Sequence, residues 1–236
     1  MNSWEVKSCF SVKGKGKAEI NCYFCRQLPY PMKKVKFIVG ITGGSGVGKT
    51  TLIDHLNNSF EGRVTTFSLD NYYRPKSEQA KDENGVINFD LPTALDTEKM
   101  KLDFDKLRKG EPIEQAVYQF NNPANEAAVE LIEPRQLLIV EGLFVMHYDF
   151  IKTCLDYSVY LSVNQDLQLE RRLVRDVQER NYSEDDVMYQ WNNHVLPSYE
   201  NYVRPYKSES DLIITNNESF DENIHILTSV IKDNIG

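Results

Sequence analysis

Short runs of apolar residues alternate along the chain with longer segments whose apolar residues recur at helical spacing. Five runs predict buried strands, at residues 35–41, 64–69, 137–140, 157–163 and 212–214. Apolar positions three and four residues apart predict helices after Thr51, from Met100 to Leu107, from Asp166 to Arg180, after Ser183 and from Ile224 to Ile231. This alternation is typical of a three-layer α/β/α domain with a mainly parallel sheet of about five strands.

Polar segments with turn-forming residues separate some of these elements. Residues 74–88 contain Asn84-Gly85, a dipeptide typical of tight turns, and predict a small lid or hairpin. Gly110 is predicted to end the second helix, and Pro197 to mark a break or a restart in the helical segment that follows Ser183. Residues 111–133 show no regular pattern, and we expect them to be irregular.

A glycine-rich segment follows the first predicted strand and precedes the first predicted helix. Residues 43–50 match the pattern G-x-x-x-x-G-K-[ST] at every fixed position. Glycines let consecutive backbone N–H groups point at an anion, and the helix N-terminus adds its positive dipole end. Lys49 can reach the β- and γ-phosphates, and the Thr50 hydroxyl can hold Mg²⁺. The predicted ligands of ATP, or of GTP in its place, are Gly43, Gly44, Ser45, Gly46, Val47, Gly48, Lys49, Thr50 and Thr51.

Acidic residues stand where the predicted strands end, which is the ligand edge of a parallel sheet. Asp70 follows the second strand and can act as a general base, orient Mg²⁺ or merely begin a turn. Glu141 ends the third strand and can hold Mg²⁺ directly or through water, or instead cap the next helix. Asp90, after the polar segment, is either a ligand group or a turn former.

The predicted helix from Asp166 to Arg180 is rich in arginine. Its apolar face is formed by Leu169, Leu173 and Val177, and its arginines are Arg171, Arg172, Arg175 and Arg180. This concentration in an otherwise acidic protein favours a clamp for phosphate groups. The alternative is a solvated helix whose arginines pair with Asp176 and Glu179.

Charge is distributed unevenly along the 236 residues. The chain carries a formal net charge of −8, although residues 1–36 hold eight Lys and Arg against two Glu. The rest of the chain is therefore strongly acidic, which argues against a general nucleic-acid binder. We find no apolar run long enough for a membrane span and no secretory signal pattern, and the few cysteines fit a reduced, cytoplasmic location.

The N-terminal residues differ in composition from the rest. Residues 1–32 are basic and contain Lys13-Gly14-Lys15-Gly16-Lys17, and we expect them to form a disordered extension. Cys22-x-x-Cys25 is a weak indication of half a zinc site, because no second pair of ligands follows at suitable spacing. Residues 33–236 are predicted to form the phosphate-loop domain, which begins directly after Met32.

Taken in order, these segments resemble the uridine kinase family of phosphate-loop nucleoside kinases, which is related to phosphoribulokinase. The resemblance covers about residues 35–230 and also rests on Gln190 and on the region from Arg204-Pro205 to Ile214. Its motifs are Gly43–Thr51, Ser68–Tyr73, Phe89-Asp90-x-Pro92, Tyr118-x-Phe120, Val140-Glu141-Gly142 and Arg171-Arg172-x-x-Arg175-Asp176 through Glu179-Arg180.

The resemblance implies transfer of the ATP γ-phosphate to a nucleoside 5′-hydroxyl. It implies that Asp70 is the catalytic base, assisted by Lys49 and Arg175, and that Thr50, Asp70 and Glu141 surround Mg²⁺. It further implies that Asp90 holds the ribose hydroxyls, and that Arg175 and Arg180 cover the phosphates. The implied nucleoside contacts are Asp70, Tyr72, Asp90, Tyr118, Phe120, Arg172 and Gln190.

Two segments depart from the family pattern. A His-x-Arg segment usually follows the aromatic pair, whereas this chain has Asn122-Pro123-Ala124-Asn125, in which Asn122 is a candidate replacement for the base-reading His. A Gly-Arg pair is replaced by Asn181-Tyr182. We therefore hold three hypotheses: a uridine and cytidine kinase, the same chemistry on another acceptor such as nicotinamide riboside or a ribulose phosphate, or a non-catalytic nucleotide-binding module.

The partners expected from the resemblance are a small-molecule nucleoside and further copies of the chain, as a tetramer. Neither a nucleic acid nor a membrane is expected as a partner, because the domain is acidic and lacks a long apolar run. His194 and His225 have no neighbour that suggests a metal, and both are interpreted as structural.

Overall fold

The computed structural model describes residues 35–116, 128–220 and 223–236. A five-stranded sheet lies at its centre, and all of its strand pairs are parallel. Its strands stand in the order β2-β5-β1-β6-β7 and are β1 (Phe37–Thr42), β2 (Val64–Ser68), β5 (Leu137–Gly142), β6 (Tyr157–Ser162) and β7 (Leu212–Thr215). The predicted mainly parallel five-stranded α/β fold is thus confirmed.

Helices connect the strands. Their bounds are α1 (Lys49–Ser59), α2 (Thr97–Arg108), α3 (Asp149–Lys152), α4 (Gln165–Gln178), α5 (Glu184–Gln190), α6 (Leu196–Tyr202) and α7 (Asn223–Ile235). Gly110, with φ of 88°, follows the end of α2 and donates its N–H to the Leu107 carbonyl at 2.9 Å, as its position predicts. In the described part of the chain, none of the helices is long and apolar enough to cross a membrane.

Alternating side chains of the central strands divide the core between the two faces of the sheet. Leu137 and Ile139 pack on one face with residues of α1 and α7, including Leu52 and Leu227. The intervening residue Leu138 packs on the other face with residues from the α2 side of the sheet. Because both faces are covered, the strands read as continuous apolar runs, which is why the sequence pattern identified them.

A second sheet occupies part of the segment that the sequence left irregular. The strands β3 (Ile113–Ala116) and β4 (Val129–Ile132) pair antiparallel, with Ile113 opposite Ile132. The prediction of an irregular segment is therefore wrong for these residues. Ile113 and Gln115 point inward, whereas Glu114 and most residues of β4 are exposed, so the apolar residues Val129 and Leu131 do not mark a buried face of this ladder.

The helical region around Pro197 continues through the proline instead of stopping there. A π-helical turn, Trp191–Val195, joins α5 to α6, and Pro197 lies in the first turn of α6. Proline is tolerated at that position because the first-turn N–H groups have no intrahelical partner. Pro197 thus lies where the helix restarts after a local change of helical winding, and the π-helical turn brings His194 to the functional cavity described below.

Packing beneath the ligand edge of the sheet gives a first prediction. Phe104 of α2 is fully buried, with its ring 5.8 Å from that of Phe67, whereas Leu102 on the same helix is 64% exposed. Replacing Phe104 by Ala leaves a cavity and should lower the free energy of unfolding by about 3–5 kcal/mol. Urea denaturation of the two alanine variants measures this, and Leu102→Ala should stay within about 0.5 kcal/mol of the parent. If both variants lost the same free energy of unfolding, the difference in packing between Phe104 and Leu102 would be contradicted.

Candidate active site

A cavity of about 750 Å³ opens at the carboxyl ends of β1, β2 and β5. Its walls include the phosphate loop, Asp70, Asp90, Glu141 and the arginine-rich side of α4. Segments far apart in the chain meet here because parallel strands end at one edge of the sheet. The volume is that of a typical small-molecule site.

The glycine-rich loop joins β1 to α1 in the way that its pattern predicts. Gly46 and Gly48 have φ angles of 80° and 96°, a region that side-chain-bearing residues rarely adopt. Gly48 directly precedes α1, so the loop leads into the positive end of that helix. Val47 points into the core and fastens the loop to the domain.

Two amides hold the loop from behind, and the sequence patterns did not identify either of them. The Gln168 side chain donates to the Ser45 carbonyl at 2.5 Å, and the Asn216 side chain donates to the Val47 carbonyl at 2.9 Å. A Cβ atom on Gly44 or on Gly48 would lie 2.3 Å from one of these amide nitrogens. The loop glycines therefore serve close packing as well as backbone freedom.

The cationic and hydroxyl groups of the motif lie along the loop. The Lys49 ammonium donates to the carbonyls of Gly43 and Gly44 at 3.1 and 3.3 Å. Thr50 and Thr51 are exposed in the first turn of α1 and line the cavity. These residues fit a triphosphate, because backbone N–H groups, an ammonium and hydroxyls converge on one open space.

Two carboxylates lie close together at the ends of neighbouring strands. Ser68 of β2 pairs in register with Glu141 of β5, and the Ser68 hydroxyl donates to Glu141 Oε1. Asp70 lies in the turn after β2, and its backbone N–H is 3.3 Å from the Ser68 hydroxyl oxygen. Burial and the nearby negative charge of Asp70 raise the pKa of Glu141, and the charge of Lys49 partly opposes them.

Two arginines of α4, together with Arg180 just beyond its end, gather around one buried acid, Asp176. This carboxylate is 1% exposed and lies 3.2 Å from Arg172 Nε, 2.8 Å from Arg175 Nε and 3.1 Å from the Arg180 guanidinium. All three arginines also line the cavity. The sequence offered a phosphate clamp, or pairing with Asp176 and Glu179, as alternatives. The structure shows pairing with Asp176 by arginines that line the cavity, so this pairing does not exclude the clamp.

The individual arginines have separate second contacts. Arg175 reaches the phosphate loop, where it donates to the Ser45 hydroxyl at 3.2 Å. Arg172 donates to the Gln190 side chain at 3.3 Å and so joins α4 to α5. Arg171 instead donates to the carbonyls of Asn216 and Asn217, at 3.1 and 2.9 Å, and holds the loop after β7.

Asp90 lies on the side of the cavity formed by the residues that follow β2. Asp90 is half-buried, and desolvation raises the pKa of its carboxyl group while the positive charge of Arg172 opposes the rise. Ile87 and Phe89 line the cavity beside it, and Gln190 and His194 line it from the helical side. A carboxyl group placed this way can accept hydrogen bonds from hydroxyl groups of a bound ligand.

Asn181, which stands where the family pattern has glycine, adopts a left-handed backbone conformation. Asn181 has φ of 57°, and asparagine adopts this left-handed region more readily than most residues other than glycine. Tyr182 follows it and lines the cavity. The side chain that faces the ligand space is therefore aromatic at this point.

Of the predicted acceptor contacts, Tyr72 is not brought to the cavity. It is 2% exposed, packs its ring 5.2 Å from Phe67 and donates its hydroxyl to Asp103 at 3.0 Å. The turn after β2 directs Tyr73 toward the cavity instead, because consecutive residues of the turn point in different directions. Tyr118, Phe120 and Asn122 lie outside the described residues, as do Cys22 and Cys25.

Comparison with known proteins agrees with this arrangement. The family described as "Phosphoribulokinase / Uridine kinase family" matches residues 38–221. A uridine kinase from Staphylococcus epidermidis strain ATCC 35984 is 32% identical over 196 residues, which cover 83% of this chain and 95% of that protein.

Solved structures show the same fold at low sequence identity. The structure of a possible uridine kinase from Bacillus stearothermophilus is 14% identical, with a TM-score of 0.56, and the match covers 77% of this chain and 89% of that one. Phosphoribulokinase from Rhodobacter spheroides gives a TM-score of 0.56 at 16% identity, covering 78% and 70% of the two chains. From the family match over most of its length and the agreement in fold, the chain belongs to the phosphoribulokinase/uridine kinase family.

Proposed function

We propose that this protein transfers the γ-phosphate of ATP to the 5′-hydroxyl of uridine or cytidine. One observation carries the proposal: a phosphate loop, an acid at the end of β2, a second acid at Asp90 and an arginine cluster all line a single cavity. The acceptor class is inferred from the uridine kinases to which the chain is similar. Residues 33–236 form the proposed catalytic unit.

Asp70 is the proposed general base. Asp70 lines the same cavity as the phosphate loop. Its negative charge helps to raise the pKa of the nearby Glu141. A carboxylate at this position can accept the proton of the acceptor hydroxyl as that oxygen attacks the γ-phosphate. Lys49 and Arg175, which both contact the loop, are placed to stabilise the negative charge that spreads over the phosphate oxygens.

Thr50, Asp70 and Glu141 are the proposed residues around Mg²⁺. Their fit is supported by the two adjacent carboxylates, whose mutual repulsion a divalent cation would relieve. Among the described residues, no group of three or more His, Cys, Asp or Glu side chains is placed to hold a metal. Mg²⁺ bound beside Thr50, Asp70 and Glu141 would neutralise phosphate charge.

The remaining proposed contacts divide between the two substrates. Arg175 and Arg180 cover the phosphates, while Asp90 holds ribose hydroxyls and Arg172 and Gln190 face the nucleoside. Asp176 contacts all three cavity arginines, offsets part of their positive charge and orients them. ATP as the phosphate donor, with GTP as the alternative, a tetrameric assembly and a cytoplasmic location are retained as predictions.

A substrate panel tests the proposed acceptor. ADP release is measured with ATP and Mg²⁺ in the presence of uridine, cytidine, adenosine, nicotinamide riboside or ribulose 5-phosphate. We expect turnover with uridine and cytidine alone. If neither pyrimidine nucleoside is turned over and another acceptor is, the protein is still a kinase but its substrate differs from the proposed one. Binding of ATP without turnover of any acceptor would support a non-catalytic module.

Replacing the proposed base separates chemistry from nucleotide binding. Asp70→Asn should lower kcat by about 100- to 10,000-fold, because the amide cannot accept the acceptor proton. The affinity for ATP without Mg²⁺, measured by titration calorimetry, should change little. Asp54→Asn on the exposed side of α1 is the matched control and should retain full turnover. Near-normal kcat in Asp70→Asn would remove Asp70 as the base.

Replacing the buried acid tests the arginine cluster. Asp176→Asn keeps the side-chain size but removes the charge that gathers three guanidinium groups. We expect kcat to fall about 10- to 100-fold through misplaced arginines. Circular dichroism establishes that the variant is folded, and the exposed Asp185→Asn serves as its control. A folded Asp176→Asn variant with normal kcat would show that the cluster does not depend on this charge.

A further inference from the structure

Two walls face each other across the part of the cavity that includes Asp90. The hairpin wall consists of Ile87, Phe89 and Asp90, and the helix wall consists of Tyr182, Gln190 and His194. The walls come from segments about a hundred residues apart in the chain. Their separation is therefore fixed by tertiary contacts and not by the covalent connection between them.

A short hairpin precedes the first wall and is built around Asp82. Lys81 pairs antiparallel with Ile87, and the Asp82 N–H donates to the Val86 carbonyl at 2.9 Å. Oδ1 of the Asp82 carboxylate accepts the backbone N–H groups of Asn84 and Val86, at 2.9 and 2.8 Å. One oxygen of this side chain is thus used within the turn.

The other oxygen of Asp82 binds the helical side. Oδ2 accepts the Tyr189 hydroxyl at 2.7 Å and lies 2.7 Å from His194 Nε2. The Asn84 side chain also donates to the Tyr189 hydroxyl oxygen, at 2.7 Å. His194 is itself 2% exposed and belongs to the π-helical turn, so its ring is held firmly by the helix that presents it.

The bonds to Asp82 are of the strong, charge-assisted kind. Burial raises the pKa of Asp82, but the hydrogen bonds from Tyr189, His194, Val86 and Asn84 outweigh it and lower the pKa to about 2. The carboxylate is consequently ionised throughout the pH range in which a kinase is assayed. Hydrogen bonds to an ionised acceptor contribute more than those between neutral groups.

The position of Asp90 depends on this hairpin. The Asn88 N–H donates to the Ala80 carbonyl at 2.9 Å, which closes the base of the hairpin. The Asp90 N–H then donates to the Asn88 side chain at 2.9 Å. The hairpin and the residues that carry Phe89 and Asp90 therefore form one hydrogen-bonded unit, and Asp82 connects that unit to α5 and the π-helical turn.

We propose that Asp82, Tyr189 and His194 form a latch that sets the distance between the hairpin wall and the helix wall, and that these are positioning residues for the acceptor. The inference rests on the proposed function, since it takes the acceptor nucleoside to be the molecule held between the walls. Opening the latch moves Asp90 away from Gln190 and leaves the phosphate loop unchanged. Affinity for the acceptor then falls while affinity for ATP is retained.

The test removes the connection between the walls without removing the turn. In the double variant Tyr189→Phe/His194→Phe both rings stay close to their original size, and Asp82 keeps its bonds to Asn84 and Val86. KM for uridine, KM for ATP and kcat are measured, together with hydrogen exchange of residues 81–90 in the free protein. The matched control is Tyr206→Phe, whose hydroxyl lies 3.4 Å from His147 on another part of the domain.

We expect KM for uridine to rise about tenfold or more, as the loss of hydrogen bonds to a charged group implies, with KM for ATP within about twofold of the parent. Exchange of residues 81–90 should become faster, whereas Tyr206→Phe should match the parent in every measurement. An unchanged KM for uridine overturns the proposal. Equal rises in KM for uridine and KM for ATP also overturn it, because the residues would then stabilise the domain as a whole and not the acceptor site.

Failure of the proposed function is distinguishable from failure of the latch. If the unmodified protein turns over neither pyrimidine nucleoside, the acceptor assignment fails, and hydrogen exchange alone decides the latch. Faster exchange of residues 81–90 in the double variant then supports it. Unchanged exchange overturns it, since the hairpin would be held in place without these side chains.

Discussion

The parallel pairing of β1 with β5 and β6 is the constraint on which the site depends. Once these strands run in the same direction, the loops that follow them meet at one edge of the sheet. The phosphate loop follows β1, and Glu141 ends β5 beside β2. The positions of Lys49, Asp70 and Glu141 are thus consequences of strand direction and register before any side-chain contact forms.

Charge compensation is the second organising feature. A cavity that receives a triphosphate needs cationic groups, yet neighbouring arginines repel one another when the ligand is absent. Asp176 resolves this conflict, because one buried carboxylate contacts three guanidinium groups and keeps them beside the cavity. At Glu141 the charges are reversed. Glu141 and Asp70 are two acids close together, and they attract positive charge.

The site is held together by side chains that do not face the reaction. Gln168 and Asn216 fix the phosphate loop from behind, and Asp82 joins the hairpin to the helical side. Each of these bonds connects residues more than a hundred positions apart. Hydrogen bonds of this kind act over short distances and in one direction. They therefore fix the geometry of the site without requiring a large apolar contact.

The sequence by itself determined the central sheet, the phosphate loop and the acids at the strand ends. These features have local signals: continuous apolar runs for strands covered on both faces, and a glycine pattern whose backbone angles the loop requires. Family resemblance added roles for Asp70, Asp90 and Arg172, and the structure places these residues on the cavity.

Only the tertiary structure decided features that depend on partners distant in the chain. The β3–β4 pair was not identified, because Val129 and Leu131 are apolar but exposed, so their spacing marks no buried face until the partner strand is known. The direction of Tyr72 into the core and of Tyr73 toward the cavity follows from the turn after β2, which residue spacing cannot specify. His194 appeared merely structural, and its contact with Asp82 arises only when the hairpin packs against the π-helical turn. Local patterns record which residues are buried and which turns are allowed, whereas directional contacts between distant polar groups are fixed by packing.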